Sequence, residues 1–249
     1  MIDQFKGMKP SRRAFLRGAA AAGVAVAGTK AAAEGEAQIL NKQPWNQALG
    51  AGVDESPYGM PSKFEAGVVR KNVPWLTAES ISSINFTPIH ELDGIITPNG
   101  LCFERHHGGA AEIDPAEHRI MINGLVDREL VFTMEDLMRF PRENHVYFLE
   151  CAANSGMEWR GAQLNGCQFT HGMIHNVMYT GVPLRLLLEE AGVKTEGKWL
   201  LAEGADASGM TRSIPMEKAL DDCLVAFKMN GEATHSISLY LEIELFWPS

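Results

Sequence analysis

Cysteine is scarce and scattered in this chain. The four residues Cys102, Cys151, Cys167 and Cys223 form no C-x-x-C pair and no zinc-finger spacing, which excludes a thioredoxin-type motif and a zinc ribbon. Their spacing leaves open whether any of them pair in an oxidising compartment. Positive charge is also short. Lys and Arg number 22 against 31 Asp and Glu, for a formal charge of −9. Residues 1–33 hold six of the basic residues and one acid, so the remainder carries 16 basic and 30 acidic residues, or −14. Such a surface disfavours nucleic acid and anionic membranes. Long apolar runs are missing too: residues 18–28, GAAAAGVAVAG, are too short and too rich in Ala and Gly to span a bilayer. No repeat or low-complexity tract follows them.

What is present begins with an export pattern. SRRAFL at residues 11–16, the weak apolar run, and small residues at 31–33 (or near Ala37) have the three parts of a secretory signal. The paired arginines mark the twin-arginine type, which exports folded proteins. Residues 1–33 are therefore expected to be a signal peptide, and the location a bacterial periplasm. Residues 34–84 read as an extension in which Trp45, Tyr58, Phe64 and Trp75 would anchor an ordered arm. The 249 residues suffice for one large domain or two small ones.

The chemistry concentrates in residues 145–161, HVYFLECAANSGMEWRG. Residues 146–149 predict a short buried strand that delivers Cys151 into a turn of small residues. Ala152, Ala153, Ser155 and Gly156 would let their N–H groups approach an anion. A second dense stretch, HELDGIITPNGLCFERHHGG at 90–109, places Phe103, Arg105, His106 and His107 before two glycines. Arg105 offers a planar fork of donors suited to phosphate, sulfite or a pterin carbonyl.

The rest reads as scaffold. Residues 119–126 predict a strand. A helix follows Thr133, with Asp136 completing a capping box and Pro141 ending it. Residues 154–180 read as a long loop. His171 and His175 stand four apart there, the spacing of a metal pair, but Gly172 weakens a helix and loop packing is the better reading. Residues 181–193 predict a helix with Pro183 in its first turn and Gly192 at its end. Strands are expected at 199–203 and 223–229, with a hairpin turn at Asn230-Gly231. Thr211-Arg212-Ser213, ahead of a short helix, is a candidate oxyanion spot.

In these motifs the chain resembles the sulfite oxidase family of molybdopterin oxidoreductases, and within it the SoxC sulfane dehydrogenase branch. The similar blocks are LDGIITPNGLCFERHHGG, FLECAANSGMEWRG, QLNGCQFTHGMIHNVMYTGVPLRLLLEEAG, GADASGMTRSIPMEKALDD and FKMNGEA, in that order. The resemblance implies a mixed α/β domain over 85–233 that holds one molybdopterin, with no haem in this chain. It implies that Cys151 is the protein ligand to molybdenum, a soft thiolate on a high-valent metal. Arg105 and His107 match the family's Arg-x-His near substrate and pterin. His106 stands where the family more often has Asn. Phe103 belongs to the same cofactor-binding stretch, and Ser213 to a pterin-contacting segment. True sulfite oxidases carry an arginine shortly after the ligand cysteine. Asn154-Ser155-Gly156 stand there instead, which points to the sulfane branch. The implied reaction is a two-electron oxidation of a sulfur compound, either sulfane sulfur on a carrier protein or a small sulfur anion. The electrons pass to a c-type cytochrome subunit. A sulfoxide reductase of the same fold shares the cysteine and the signal, and stays an alternative.

After Ala233 the resemblance stops, and residues 234–249 read as an apolar, β-prone tail. The expectation is a truncation or frameshift that removes the family's β-sandwich dimerisation domain and part of the cofactor cage. It would leave residues 223–229 without their strand partners and the tail exposed as an aggregation hazard. An inactive remnant that holds cofactor poorly is the matching alternative.

Overall fold

The computed structural model describes residues 44, 47–49, 61–73, 77, 79–162, 166–204, 206–233 and 241–246, the last stretch as backbone. The chain divides into two units, Met1–Met60 and Pro61–Ser249, and nearly all described residues belong to the second. The expected signal peptide, Trp45, Tyr58 and Trp75 lie outside the described residues. Phe64 is described and anchors nothing: it is exposed, with the Lys63 ammonium 5.2 Å from its ring. This part of the extension is tied down by buried Val73, by the pairing of Lys71 and Asn72 with Phe86 and Asn85, and by Arg70 on Glu104.

Eleven strands appear among the described residues. They are β1 Lys71–Asn72, β2 Asn85–Phe86, β3 Arg119–Gly124, β4 Leu130–Thr133, β5 Glu143–Glu150 and β6 Ile174–Pro183, followed by β7 Trp199–Gly204, β8 Thr211–Pro215, β9 Leu224–Met229, β10 Glu232–Ala233 and β11 Leu241–Phe246. The helices are α1 Met134–Arg139, α2 Cys167–Thr170, α3 Leu184–Ala191 and α4 Met216–Asp221. One sheet runs β10-β9-β6-β5, all antiparallel. A second runs β4-β3-β11-β7-β8, with β11 parallel to β3 and antiparallel to β7, and β1 pairs with β2 in a separate two-stranded antiparallel sheet. The fold is thus the mixed helix-and-sheet type expected.

The two larger sheets feed one core. Ile120 and Ile122 of β3, Val182 of β6, Leu200 of β7 and Val225 of β9 meet Leu184, Leu187 and Leu188 of α3. The leucine spacing puts one face of α3 inward, and Gly192 closes it in the left-handed region at φ 71°. α1 carries the predicted capping box: Thr133 Oγ1 accepts from the Asp136 N–H, and the Asp136 carboxylate accepts from the Thr133 N–H.

Five local expectations change. Residues 174–180 are not loop but most of β6, the strand on which the four-stranded sheet is built; its mixed sequence, IHNVMYTGVP, hides the alternation. α3 starts at Leu184, because residues 181–183 complete β6. β5 is a strand, yet not a buried one: it lies at the sheet edge and leaves Val146 and Phe148 exposed. β9 has partners on both sides, β6 and the short β10 across the Asn230-Gly231 turn. Residues 241–246, read as part of an exposed tail, run as backbone between β3 and β7.

Candidate functional site

Cys151 follows the last residue of β5. Its N–H donates to Met173 O at 3.0 Å, which extends the β5–β6 ladder by one step. The turn beyond it is held by Asn154, a buried residue. The Asn154 amide donates to Glu150 Oε1 at 2.9 Å and to His171 O at 3.2 Å, and its carbonyl accepts from the Met173 N–H at 3.1 Å. Ser155 next to it sits in the left-handed region at φ 62°, a strained position for a residue with a side chain. The N–H groups of Ser155 and Gly156 are not free for an anion, because they donate to Thr170 O and Ala153 O. The tight turn uses them itself.

The Phe103–His107 stretch lies across this turn. β2 and its flanks hold it in place. Thr87 Oγ1 accepts from the Phe103 N–H at 3.0 Å, and Asn85 Oδ1 from the Glu104 N–H at 2.7 Å. Thr87 N–H reaches on to Gly172 O at 2.9 Å. Phe103 consequently packs in one cluster with Cys151, Phe86, Met173 and Phe169. Gly172 is required here: a Cβ on it would collide with Gln168 O and stand 2.8 Å from Phe86 Cβ.

Glu104 pairs with Arg70 and lies 3.1 Å from His106 Nε2. Burial opposes its charge, but these two partners outweigh that and hold the carboxyl below its usual range. Arg105 Nη1 donates to Ser82 Oγ, Ser83 O and His106 O, so its guanidinium is fixed by backbone and hydroxyl oxygens. His107 is pushed below its ordinary value by burial, then by the Arg105 and Arg212 guanidinium groups, with Asp206 acting in the opposite sense. Gly108 abuts the 207–208 backbone, where a Cβ would stand 3.0 Å from Ser208 N.

Phe103 is therefore brought against Cys151, while Arg105 from the same loop and Arg212 from β8 both act on His107. Thr211-Arg212-Ser213 is strand rather than helix entry. Neighbouring side chains on a strand alternate in direction, so Arg212 and Ser213 face opposite ways, and Ser213 is exposed. Arg212 belongs to the oxyanion stretch singled out in the sequence, but its approach to His107 is not legible there. Asn154 is the residue that sequence reasoning missed: two of its three partners, His171 and Met173, lie on a different segment.

His171 and His175 do not form a metal pair. His171 caps α2 with Nδ1 2.8 Å from Thr170 Oγ1, whereas His175 is buried in β6. No three His, Cys, Asp or Glu side chains group to hold a metal ion among the described residues. All four cysteines are free thiols. A metal at Cys151 would take a single protein thiolate, with its other ligands brought by a cofactor.

Comparison with known proteins agrees with this donor set. Residues 107–236 match the oxidoreductase molybdopterin binding domain. Sulfite oxidase of Gallus gallus is 32% identical over 172 residues, covering 64% of this chain and 38% of that protein. Nitrate reductase [NADH] of Volvox carteri is 38% identical over 152 residues, covering 55% of this chain and 18% of that protein. The crystal structure of the sulfane dehydrogenase SoxCD from Paracoccus pantotrophus superposes with a TM-score of 0.78 at 56% identity, over 86% of this chain and 55% of that one. The chain thus spans about half the length of that structure's chain, and less of the two curated relatives. With more than half of its residues inside the family match, the chain belongs to the oxidoreductase molybdopterin-binding domain family, as a SoxC-like member of the sulfite oxidase group.

Proposed function

We propose that this domain binds molybdopterin with Cys151 as the protein thiolate on molybdenum, and that it serves the oxidation of an anionic sulfur compound, with electrons passed to a c-type cytochrome. The observation that carries the reading is Cys151 itself: a half-buried thiol that ends β5 and packs with Phe103 of the arginine-bearing loop. The residues present fit the group. They offer one soft thiolate and a guanidinium held by neutral oxygens. When bound, the cofactor supplies the two-electron redox step.

The chain's own residues do the rest. Arg105 and Arg212 form no ion pair among the described residues, in a chain of net charge −9. They offer donors to an oxyanion, and together with burial they lower the pKa of His107. The Phe103 and Phe86 rings exclude water beside Cys151. Asn154 fixes the turn and so the direction of the thiol. An acidic surface suits a basic cytochrome face. Export by the twin-arginine route to the periplasm, after cofactor insertion, accords with the SRRAFL start.

The test is metal and pterin analysis of the purified full chain beside Cys151→Ala, with sulfite- and thiosulfate-dependent cytochrome c reduction. Wild type is expected to hold pterin and molybdenum. The variant is expected to keep the fold and lose the molybdenum. Equal molybdenum in both would overturn the ligand assignment. Cytochrome reduction absent while a sulfoxide is reduced would overturn the oxidase reading.

A further inference from the structure

One buried polar group in the fold has no role in the chemistry above. His175 is 3% exposed on the inner side of β6. Its Nε2 lies 3.0 Å from the hydroxyl of Tyr179, two pleat repeats along the strand on the same face. Its Nδ1 is buried and has no hydrogen-bond partner. Burial keeps the imidazole neutral, pushing it down to about 4, and burial first, then Cys102, raises the Tyr179 hydroxyl to about 12. In a neutral pair only one proton lies between the two groups. Either Tyr179 O–H donates to Nε2 and Nδ1 carries a hydrogen, or Nε2–H donates and Nδ1 is a bare acceptor. Both tautomers leave Nδ1 unmet, and folded proteins seldom leave a buried polar atom so.

The position of the ring says what could meet it. His175 stands opposite Leu149 in the ladder, one inward step from the pair in which the Cys151 N–H donates to Met173 O. Its ring is 5.0 Å from that of Phe103, tilted at 40°. Phe103 belongs to the cluster that contains Cys151. The orphan nitrogen is therefore separated from the candidate metal ligand by one aromatic residue and one strand step.

We infer that His175 Nδ1 is a hydrogen-bonding site for the pterin heterocycle of the cofactor beside Cys151. The inference rests on the molybdopterin reading above. A pterin edge presents amino, ring N–H, ring nitrogen and carbonyl groups, so it can satisfy either tautomer of the imidazole. A buried water could satisfy the same atom, and the experiment separates the two.

Full-length wild type, His175→Phe and His175→Gln are purified from cells that make the cofactor. His175→Phe keeps the ring against Phe103 and removes both nitrogens, whereas His175→Gln keeps an amide. Pterin per chain is read by fluorescence after oxidative release, with thermal midpoints measured alongside. His175→Phe is expected to hold roughly tenfold less pterin or lower still, about 1.4 kcal/mol of binding, and His175→Gln to recover most of it. The Nδ1 nitrogen resonance of wild type is expected to move between cofactor-free and loaded protein. Wild-type pterin content in His175→Phe, or an Nδ1 resonance unchanged by loading, would overturn the inference in favour of a water. If His175→Phe does not fold, the resonance decides. A wild type without pterin would bring down the molybdopterin reading and this inference together, whereas pterin in wild type and equally in His175→Phe removes only the latter.

Discussion

At Cys151 the direction of one thiol is set by groups that never touch it. Asn154 satisfies three backbone or carboxylate partners around the turn, and Met173 O fixes the Cys151 N–H. The sequence identifies the cysteine from its setting of small residues, but the asparagine reads as an ordinary loop residue until its partners are seen. Arg212 differs again. It lies about a hundred positions from Arg105, and only the packing of the 107–108 backbone against 207–208 makes them neighbours. Burial lowers the His107 pKa most, and Arg105 and Arg212 add to it, so Arg212→Gln is expected to let it rise part of the way towards its ordinary value. Imidazole proton shifts titrated from pH 5 to 8 would read this; an unchanged midpoint would place Arg212 away from His107.

Among the elements, α1 and α3 form where the local rules place them, because capping and leucine periodicity act within a few residues. β6 escapes those rules. It carries His175, Asn176, Tyr179, Thr180 and Gly181 in one run, and its strand character comes from pairing with β5 on one side and β9 on the other. A register shift between Thr180 and Gly181 lets the two strands approach so closely that a Cβ at 181 would strike Val225 O. Gly181→Ala is expected to cost about 2–3 kcal/mol by forcing β6 and β9 apart. Urea unfolding with an unchanged slope and a lower midpoint is the signature; an unaltered midpoint would show that the bulge relaxes without cost.

Over the whole molecule, burial of neutral histidines makes the fold acid-sensitive. His175 and His118 are both held down to about 4 by burial, with Arg119 adding to the effect on His118. The unfolded chain takes up a proton at each near 6.5 and the native chain does not until about 4, so stability is full above pH 6.5 and falls as the pH drops to 4. For His175 alone the loss is on the order of 3 kcal/mol. Below that window Glu104, whose folded pKa is depressed, adds a further loss of the same sign as it takes up its proton. Thermal midpoints measured from pH 7.5 to 4 should decline through this range, and His175→Gln should flatten the slope. A flat profile in wild type would contradict the buried neutral state.

The sequence by itself singled out Cys151, the arginine-bearing loop and the helices with strong caps, since each rests on residue types within one short stretch. Its ordered motifs also sufficed to identify the family. Tertiary structure alone decided which distant groups meet. It put β5 at a sheet edge, made a strand of residues 174–183, ran residues 241–246 between β3 and β7, brought Arg212 to His107, and buried His175 with one nitrogen unmet. Pairing partners and burial are properties of two or more segments at once, and no local pattern within one of them encodes the other.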